Sequence, residues 1–211
     1  MIEICCGSYE DALNAYNGGA KRIELNSALH LGGLTPSLAS LKMTKANTNL
    51  TVICMVRPRG AGFCYSKSEY RQMLIEAKDL LETGADGLAF GFLHENHEID
   101  VERTRKMVEL CKKYHKTAVF HRAFDCVNDP YKSIEILIDL GVDRLLTSGL
   151  KAKAMDGIAK INQIHSSCKD WRTDPTTSGK DVNYCYGPET HQNDYDVVSL
   201  DLVKKLVKLG L

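Results

Sequence analysis

The sequence predicts an α/β fold built on parallel strands, and two observations lead to this prediction. Short apolar runs typical of buried strands alternate with amphipathic runs typical of helices, at a spacing of roughly 30 residues. A helix end marked by glycine precedes a buried strand in three similar segments: NGGAKRIEL (17–25), ETGADGLAF (82–90) and DLGVDRLLT (139–147). Successive units of this kind give parallel strands joined by right-handed crossovers.

A barrel is favoured over a doubly wound nucleotide-binding sheet. Neither G-x-G-x-x-G nor G-x-x-x-x-G-K-[ST] follows the first predicted strand, so the usual marker of the nucleotide-binding folds is missing. We therefore predict a TIM-type (β/α)8 barrel that forms a single domain over residues 1–211. In such a barrel the functional groups lie where the strands end, at the carboxyl-terminal face.

Six strands and three helix starts can be placed in order along the main part of the chain. The apolar runs predict strands near residues 2–5, 22–25, 51–56, 86–90, 117–121 and 143–147. Thr35 and Asp129 each precede a proline suited to the first helical position, which predicts an N-cap at both residues. Ser66 and Glu69 have the spacing of a capping box, which predicts a third helix start.

The alternation of strands and helices breaks in the last part of the chain. We expect a helix over residues 151–163 and a strand over residues 164–167. Residues 168–196 are polar and lack periodicity, which predicts a long loop before a final helix within residues 197–211. A barrel of this type usually needs about 250 residues, so by count we expect one βα unit to be missing.

Charge and composition exclude two classes of partner. Lys plus Arg and Asp plus Glu balance at 27 each, which argues against a nucleic-acid-binding surface. No apolar stretch approaches the roughly 20 residues that a membrane helix needs, and the first residues do not resemble a signal peptide. Eight cysteines without a C-x-x-C pair indicate reduced thiols and no ordinary structural zinc site. We therefore expect a cytoplasmic protein with no nucleic-acid or membrane partner.

The segment TAVFHRAFD places ionisable side chains directly after a predicted strand. His121 offers acid–base chemistry, and Asp125 or a nearby glutamate would orient it. Glu3 and Glu24, on the first two predicted strands, are the glutamates considered for this catalytic group. Arg122 would contribute to binding an anion. The alternative is that Arg122 and Asp125 form a structural ion pair while His121 is satisfied inside the barrel.

A second group of candidates would bind the anion. Arg57 and Arg59 flank Pro58 at the end of the third predicted strand and offer two guanidinium groups to a carboxylate or phosphate. Thr147 and Ser148 would cradle a phosphate through their backbone N–H groups. The alternatives are that both arginines pair with the glutamates of the barrel mouth, and that Thr147 and Ser148 only build a turn.

Six motifs in the same order resemble the CutC family of copper homeostasis proteins. They are EICC with Ser8, GAKRIEL, GGLTPS, MVRPRG with FCYS, FHRAFD and RLLTSG, within residues 1–167. The resemblance implies a (β/α)8 barrel and a cytosolic role in copper homeostasis, with Cu(I) as the bound ion. It also implies that the missing βα unit falls near residues 163–165, either because this protein has lost the unit or because the sequence omits its residues. The family includes oligomers, so the resemblance leaves room for a homo-oligomer.

The resemblance also implies a candidate copper site, in which this chain departs from the family. In animal members, one cysteine after the first strand and another after the second have been proposed as Cu(I) ligands. The first matches Cys5, but Asn26 stands at the second position, and an amide is a poor ligand for Cu(I). Cys6 would substitute only if the backbone turned, because adjacent residues of a strand face opposite sides.

Two functions follow from these motifs. The first is copper homeostasis through binding of Cu(I) by Cys5 and Cys6, as the resemblance implies. The second is an enzyme, or the remnant of one, that acts on a small anionic metabolite at the barrel mouth, as the His, Arg and carboxylate residues indicate. A third possibility is an interaction scaffold whose barrel mouth is vestigial, which requires neither copper binding nor catalysis.

Overall fold

A computed structural model describes residues 1–151, 163–178 and 181–209 of the protein. Strands and helices alternate along most of these residues, as the sequence predicts. The strands are β1 (Ile2–Cys6), β2 (Arg22–Leu25), β3 (Thr51–Met55), β4 (Gly87–Phe90), β5 (Thr117–Phe120), β6 (Arg144–Leu145), β7 (Ile164–Ser166), β8 (Lys169–Thr173) and β9 (Asp194–Val198). The helices are α1 (Tyr9–Asn17), α2 (Leu38–Asn47), α3 (Lys67–Thr83), α4 (Val101–Lys113), α5 (Pro130–Leu140) and α6 (Leu200–Lys208).

The helix starts are set by capping side chains, and one of the three predicted starts is wrong. Ser66 and Glu69 form a capping box at α3, and Asp129 caps α5 ahead of its proline, as predicted. At α2 the N-cap is Ser37, whose hydroxyl accepts from the N–H of Ser40. The hydroxyl of Thr35 is bound instead to the third strand end and to a glutamate of α3, so it is not free to cap a helix.

Seven parallel strands form the main sheet, in the order β6-β5-β4-β3-β2-β1-β7. Each neighbouring pair is parallel and in register, as the βα repeats predict. Within the described residues the two edge strands, β6 and β7, do not pair with each other. The described strands therefore provide seven of the eight positions of a (β/α)8 barrel, and the remaining position falls between β6 and β7, close to where the sequence predicts a missing unit.

The sheet is strongly curled, and a single contact demonstrates it. Arg144 on β6 donates a hydrogen bond to Glu3 on β1 at 3.0 Å. These two strands are five positions apart in the sheet, which would separate them by about 24 Å if the sheet were flat. The contact is made only because the sheet bends towards a barrel.

Alternate residues of each strand face two different environments. Ile4, Ile23 and Val52 belong to a large apolar core that also includes the buried sides of the helices. The residues between them in sequence face the barrel interior. On β3, β4 and β5 the interior is apolar and is formed by Ile53, Met55, Ala89 and Val119. On β1 and β2 the interior is charged, because Glu3, Arg22 and Glu24 are buried there.

The tail differs from the long loop expected over residues 168–196. β8 lies within this range and β9 begins within it, and the two strands form an antiparallel pair. The pair is anchored on α1, where Asp11 accepts from the N–H of Val198 at 2.7 Å and Asn14 donates to its carbonyl at 3.0 Å. α6 then covers Leu200–Lys208 within the expected range. The helix predicted over residues 151–163 falls almost entirely on residues 152–162, which lie outside the described ranges.

Across the described ranges, none of the helices combines the length and the apolar character that crossing a membrane requires.

A prediction about the sheet concerns Gly87, which allows β4 to approach its neighbours. A Cβ atom at this position would lie 2.6 Å from the carbonyl oxygen of Thr117 and 2.7 Å from Cδ1 of Ile53. Gly87→Ala should therefore lower the free energy of unfolding by about 1–3 kcal/mol, the usual cost of overpacking. Urea denaturation measures this change.

The matched control is Gly62→Ala, because a Cβ atom at Gly62 meets nothing within 4 Å. This variant should be neutral or slightly stabilising, since alanine reduces the freedom of the unfolded chain. Equal losses of stability in the two variants would show that the close approach of β4 is not the cause.

Candidate functional site

The carboxylate of Glu3 connects four strands in the barrel interior. Its Oε2 atom lies 2.6 Å from Nε of Arg22 on β2 and accepts from Arg144 on β6 at 3.0 Å. Its Oε1 atom lies 3.1 Å from Nδ1 of His165 on β7. Glu3 is only 6% exposed, so its carboxylate lies in a setting that excludes most water. The basic partners on both sheet edges therefore meet at one acidic group.

The charges around Glu3 keep it ionised despite its burial. Burial alone would raise the pKa of this carboxyl group, because it disfavours the charged form. The hydrogen bond and charge of His165, together with the charges of Arg144 and Arg22, outweigh burial and lower the pKa of Glu3 to about 2. Because Glu3 is an acceptor only, Nδ1 of His165 carries the proton of their hydrogen bond.

Cys5, Glu24 and His165 form a cluster of potential metal ligands next to Glu3. One ligand atom from each of these three residues lies within 4.8 Å of the other two. The thiol of Cys5 is 3.8 Å from Oε2 of Glu24, and Nε2 of His165 is 3.7 Å from the same oxygen. Register explains the meeting, since Cys5 pairs with Glu24 and the neighbouring Glu3 pairs with His165.

The electrostatics of the cluster favour a protonated imidazole and a neutral thiol. Burial opposes the charge on His165, but Glu24, Cys5 and Glu3 outweigh it and raise the pKa of His165 well above its usual value. Burial raises the pKa of the Cys5 thiol to about 11, although His165 acts in the opposite direction. A metal ion would therefore displace protons from this cluster when it binds.

Asn26 completes the surroundings of the Cys5 sulfur. Its Nδ2 group lies 3.5 Å from this sulfur and donates to Oε2 of Glu24 at 3.1 Å. Its Oδ1 atom is buried without a partner among the described residues. Positions 5 and 26 are thus adjacent in space, as two cooperating ligands require, but only position 5 supplies sulfur.

Cys6 lies on the other side of the strand, as strand alternation predicts. It is fully buried in the apolar core, and its thiol contacts the carbonyl of Ile4. Burial raises the pKa of Cys6 well above the ordinary value. The structure therefore does not bring the sulfurs of Cys5 and Cys6 to one side.

Arg57 and Arg59 bind different partners, and neither pairs with Glu3 or Glu24. The alternative in which both arginines pair with these glutamates is therefore wrong. Arg57 is buried and donates to the carbonyl oxygens of Leu31 at 2.9 Å and of Ala61 at 2.6 Å. Arg59 forms an ion pair with Glu69 of α3 at 2.5 Å. The first guanidinium organises the loops after β2 and β3, and the second ties the loop after β3 to α3.

Asp125 occupies the place where the sequence suggested a bound phosphate. It accepts from the hydroxyl of Thr147 at 2.6 Å and from the backbone N–H of Ser148 at 3.1 Å. Arg122 donates to Asp125 at 2.8 Å and to the hydroxyl of Ser148 at 2.7 Å. The structure brings these four residues together as one group. The carboxylate of Asp125 accepts the hydrogen bonds that a phosphate would have accepted. The Arg122–Asp125 ion pair of the alternative interpretation is present.

His121 is buried, and its ring is hydrogen-bonded neither to the residues around Glu3 nor to the group around Asp125 among the described residues. Its Nδ1 atom accepts from the N–H of Ala123 at 3.1 Å, so the proton of the neutral ring lies on Nε2. Nε2 is buried and has no hydrogen-bond partner among the described residues. Burial, aided by the charge of Arg57, lowers the pKa of His121 to about 3. The ring packs against Phe63 at a centroid distance of 5.0 Å.

Sequence reasoning missed His165, Arg22 and Arg144 as members of the interior group. All three lie at alternate strand positions that face the interior, next to residues of the apolar core. The available indication was that His165 lies on the last barrel strand, which pairs with the first strand when a barrel closes. Arg22 and Arg144 also occur at equivalent positions of two of the three repeated segments.

Comparison with known proteins identifies relatives over most of the chain. The model of the CutC family matches residues 1–171. A CutC family protein of Treponema denticola is 41% identical over 242 residues, covering 98% of this chain and 97% of that protein. The copper homeostasis protein cutC homolog of Mus musculus is 43% identical over 169 residues, covering 80% of this chain. The chain spans only 61% of the length of the mouse relative.

A solved structure supports the fold, and the long alignment shows that a relative carries additional residues. The crystal structure named as the copper homeostasis protein CutC from Streptococcus agalactiae superposes with a TM-score of 0.67 at 31% identity. The match covers 72% of this chain and 74% of that chain. The alignment with the Treponema protein extends over 242 residues although this chain has 211, so the relative carries residues without a counterpart here.

The neutral, buried state of His121 predicts an acid-sensitive fold. Its pKa is about 3 in the folded chain and about 6.5 when unfolded, so the unfolded state binds the extra proton as the pH falls below about 6.5. This one group should lower the free energy of unfolding by about 2 kcal/mol between pH 7 and pH 5. His121→Asn keeps an acceptor for the N–H of Ala123 but cannot be protonated, so it should lose less stability over this range.

Chemical denaturation at several pH values measures the effect. His165 has the opposite sign, because its raised pKa favours the folded state at low pH. Parallel profiles for His121→Asn and the unchanged protein would contradict the assignment.

Proposed function

The chain belongs to the CutC family, and from this premise we propose that it acts in copper homeostasis by binding Cu(I) in the barrel interior. The observation that carries the proposal is the cluster of Cys5, Glu24 and His165, whose ligand atoms lie within 4.8 Å of one another. The copper ion would be the cargo of the protein, in keeping with the names of its mouse and human relatives.

The donor atoms fit copper in part. Cu(I) favours sulfur and imidazole nitrogen, which Cys5 and His165 supply, whereas the carboxylate of Glu24 is a harder ligand. Asn26 replaces the sulfur that the resemblance implied at the second position, so His165 takes the role of the second soft ligand. This set differs from the pair of Cys5 and Cys6 considered from the sequence.

Glu3 has the position of a residue that orients the metal ligand. It holds Nδ1–H of His165, which leaves Nε2 free to face Cys5 and Glu24. A histidine ligand commonly donates its other ring N–H to a carboxylate, because this fixes the ring and increases its basicity. The arginines bound to Glu3 compensate its charge and keep it in place.

A cytoplasmic location is part of the proposal. All eight cysteines are unpaired, including the exposed thiols of Cys64 and Cys126. Unpaired thiols in this number suit a reducing compartment, and a reducing compartment also maintains copper as Cu(I).

A second candidate function is the binding or conversion of a small carboxylate or phosphate at the carboxyl-terminal mouth of the barrel. One observation favours it: Nε of Arg57 and Nε2 of His121 are both buried N–H donors without an acceptor among the described residues. Phe63 packs against both groups, with its ring centroid 5.2 Å from the guanidinium and 5.0 Å from the imidazole. This candidate uses none of the copper ligands, so variants of Cys5 separate the two functions.

Copper binding predicts a specific pattern of affinities. Cys5→Ser and His165→Gln should each weaken the binding of Cu(I) by roughly 100-fold or more, because each removes one of two soft ligands. Competition titration with a Cu(I) chelator under anaerobic, reducing conditions measures the affinity. Urea denaturation of each variant confirms that it is folded.

The control is Cys64→Ser, which removes an exposed thiol outside the cluster and should leave the affinity unchanged. An unchanged affinity in Cys5→Ser, or equal losses in Cys5→Ser and Cys64→Ser, would exclude the cluster as the copper site.

A further inference from the structure

We propose that the amino-terminal end of the barrel holds a second site, which binds a small phosphate-type dianion. The site is a shallow cavity of about 600 Å3, open to solvent, at the starts of β2, β3, β5 and β6, on the side opposite to Arg57 and His121. Its volume lies in the range of small-molecule sites. The ionisable side chains in its lining are Arg22, Lys112, His115, Lys116, Asp143 and Arg144.

The cations around this cavity outnumber the carboxylates that could neutralise them. Asp86 is shared by Lys45 at 2.6 Å and Lys116 at 3.3 Å. Glu3 is likewise shared by Arg22 and Arg144. Each of these carboxylates therefore serves two cations, which leaves positive charge at the mouth of the cavity.

Lys112 increases this imbalance between cations and carboxylates, and Asp143 offsets only part of it. No carboxylate lies within ion-pair distance of Lys112 in the part of the chain that the structure describes, and its Nζ atom donates only to the carbonyl of Leu140 at 3.4 Å. Asp143 is the one acidic residue in the lining, and its Oδ2 atom accepts from the N–H of Ala118 at 2.8 Å. An incoming dianion would supply the charge that the protein lacks here.

The end of α4 is shaped so that two lysines reach the cavity together. His115 adopts a left-handed backbone conformation with φ of 54°. This turn lets the N–H groups of His115 and Lys116 bond back to the carbonyls of Lys112 and Cys111, both at 3.0 Å. The backbone at Lys116 is thereby folded back over the last turn of the helix, and both Lys112 and Lys116 line the cavity.

A competing explanation gives these lysines a structural role only. The carboxyl ends of α4 and α5 lie at this end of the barrel, and lysine side chains stabilise helix carboxyl ends through the helix dipole. A purely structural lysine would lower stability when removed but would not change the response to an added anion. The two explanations therefore differ in a binding measurement.

Inorganic phosphate is the probe, titrated into the purified chain at constant ionic strength with EDTA present, and followed by thermal unfolding and calorimetry. We expect saturable stabilisation by phosphate that sodium chloride does not reproduce. Lys112→Gln should weaken phosphate binding by about tenfold, the effect of losing one charge-assisted hydrogen bond. Lys112→Arg should retain binding, and Lys113→Gln, a neighbour outside the cavity lining, should leave it unchanged.

The outcomes decide between the explanations. Phosphate stabilisation that chloride reproduces at equal ionic strength, or an equal effect of phosphate on Lys112→Gln and Lys113→Gln, would overturn the proposal. Cys5→Ser should bind phosphate normally, so failure of the copper site and failure of this site are distinguishable. If Lys112→Gln proves unstable, Lys116→Gln takes its place: weakened phosphate binding would support the site, and normal phosphate binding would count against it.

Discussion

The carboxylate of Glu3 is the interaction on which the arrangement of the barrel interior depends. It receives Arg22 from β2, Arg144 from β6 and His165 from β7, so it connects β1 with both of its neighbours in the sheet and with the far edge strand β6. The described edges of β6 and β7 do not share backbone hydrogen bonds, so these side-chain contacts carry part of the closure that a complete barrel obtains from its ladder. Removing one partner of a buried ionic group is costly, because the others remain buried with uncompensated charge.

The same carboxylate links closure to the candidate site. Because Glu3 fixes Nδ1 of His165, the opposite ring nitrogen faces Glu24 and Cys5. The barrel interior is thereby divided into an apolar half on β3 to β5 and a polar half on β1, β2 and β7. The three ligands proposed for Cu(I) all lie in the polar half. The apolar half supplies packing, which keeps water from the charged groups and strengthens their interactions.

The sequence predicted what is encoded locally and missed what depends on curvature. Glycine residues at helix ends, N-capping residues and short apolar runs predicted seven strands and the fold class. Each of these signals depends only on a few neighbouring residues in the sequence. The contact of Glu3 with Arg144 spans 141 positions and exists only after the sheet bends. The partners of Arg57 are backbone carbonyls of loops, which leave no mark in the sequence. The β8–β9 pair escaped detection because its exposed strand KDWRT lacks the apolar alternation that marks a half-buried strand.

The most direct test is a double-mutant cycle on Glu3 and Arg144. Unfolding free energies are measured in urea for the unchanged chain, Glu3→Gln, Arg144→Met and the double variant. The account predicts a loss of about 3–5 kcal/mol for Glu3→Gln. It also predicts a coupling energy of at least about 1 kcal/mol between the two sites, because both variants break the same buried contact. Additive losses within about 0.5 kcal/mol would contradict the account, since they would show that Glu3 and Arg144 stabilise the barrel independently.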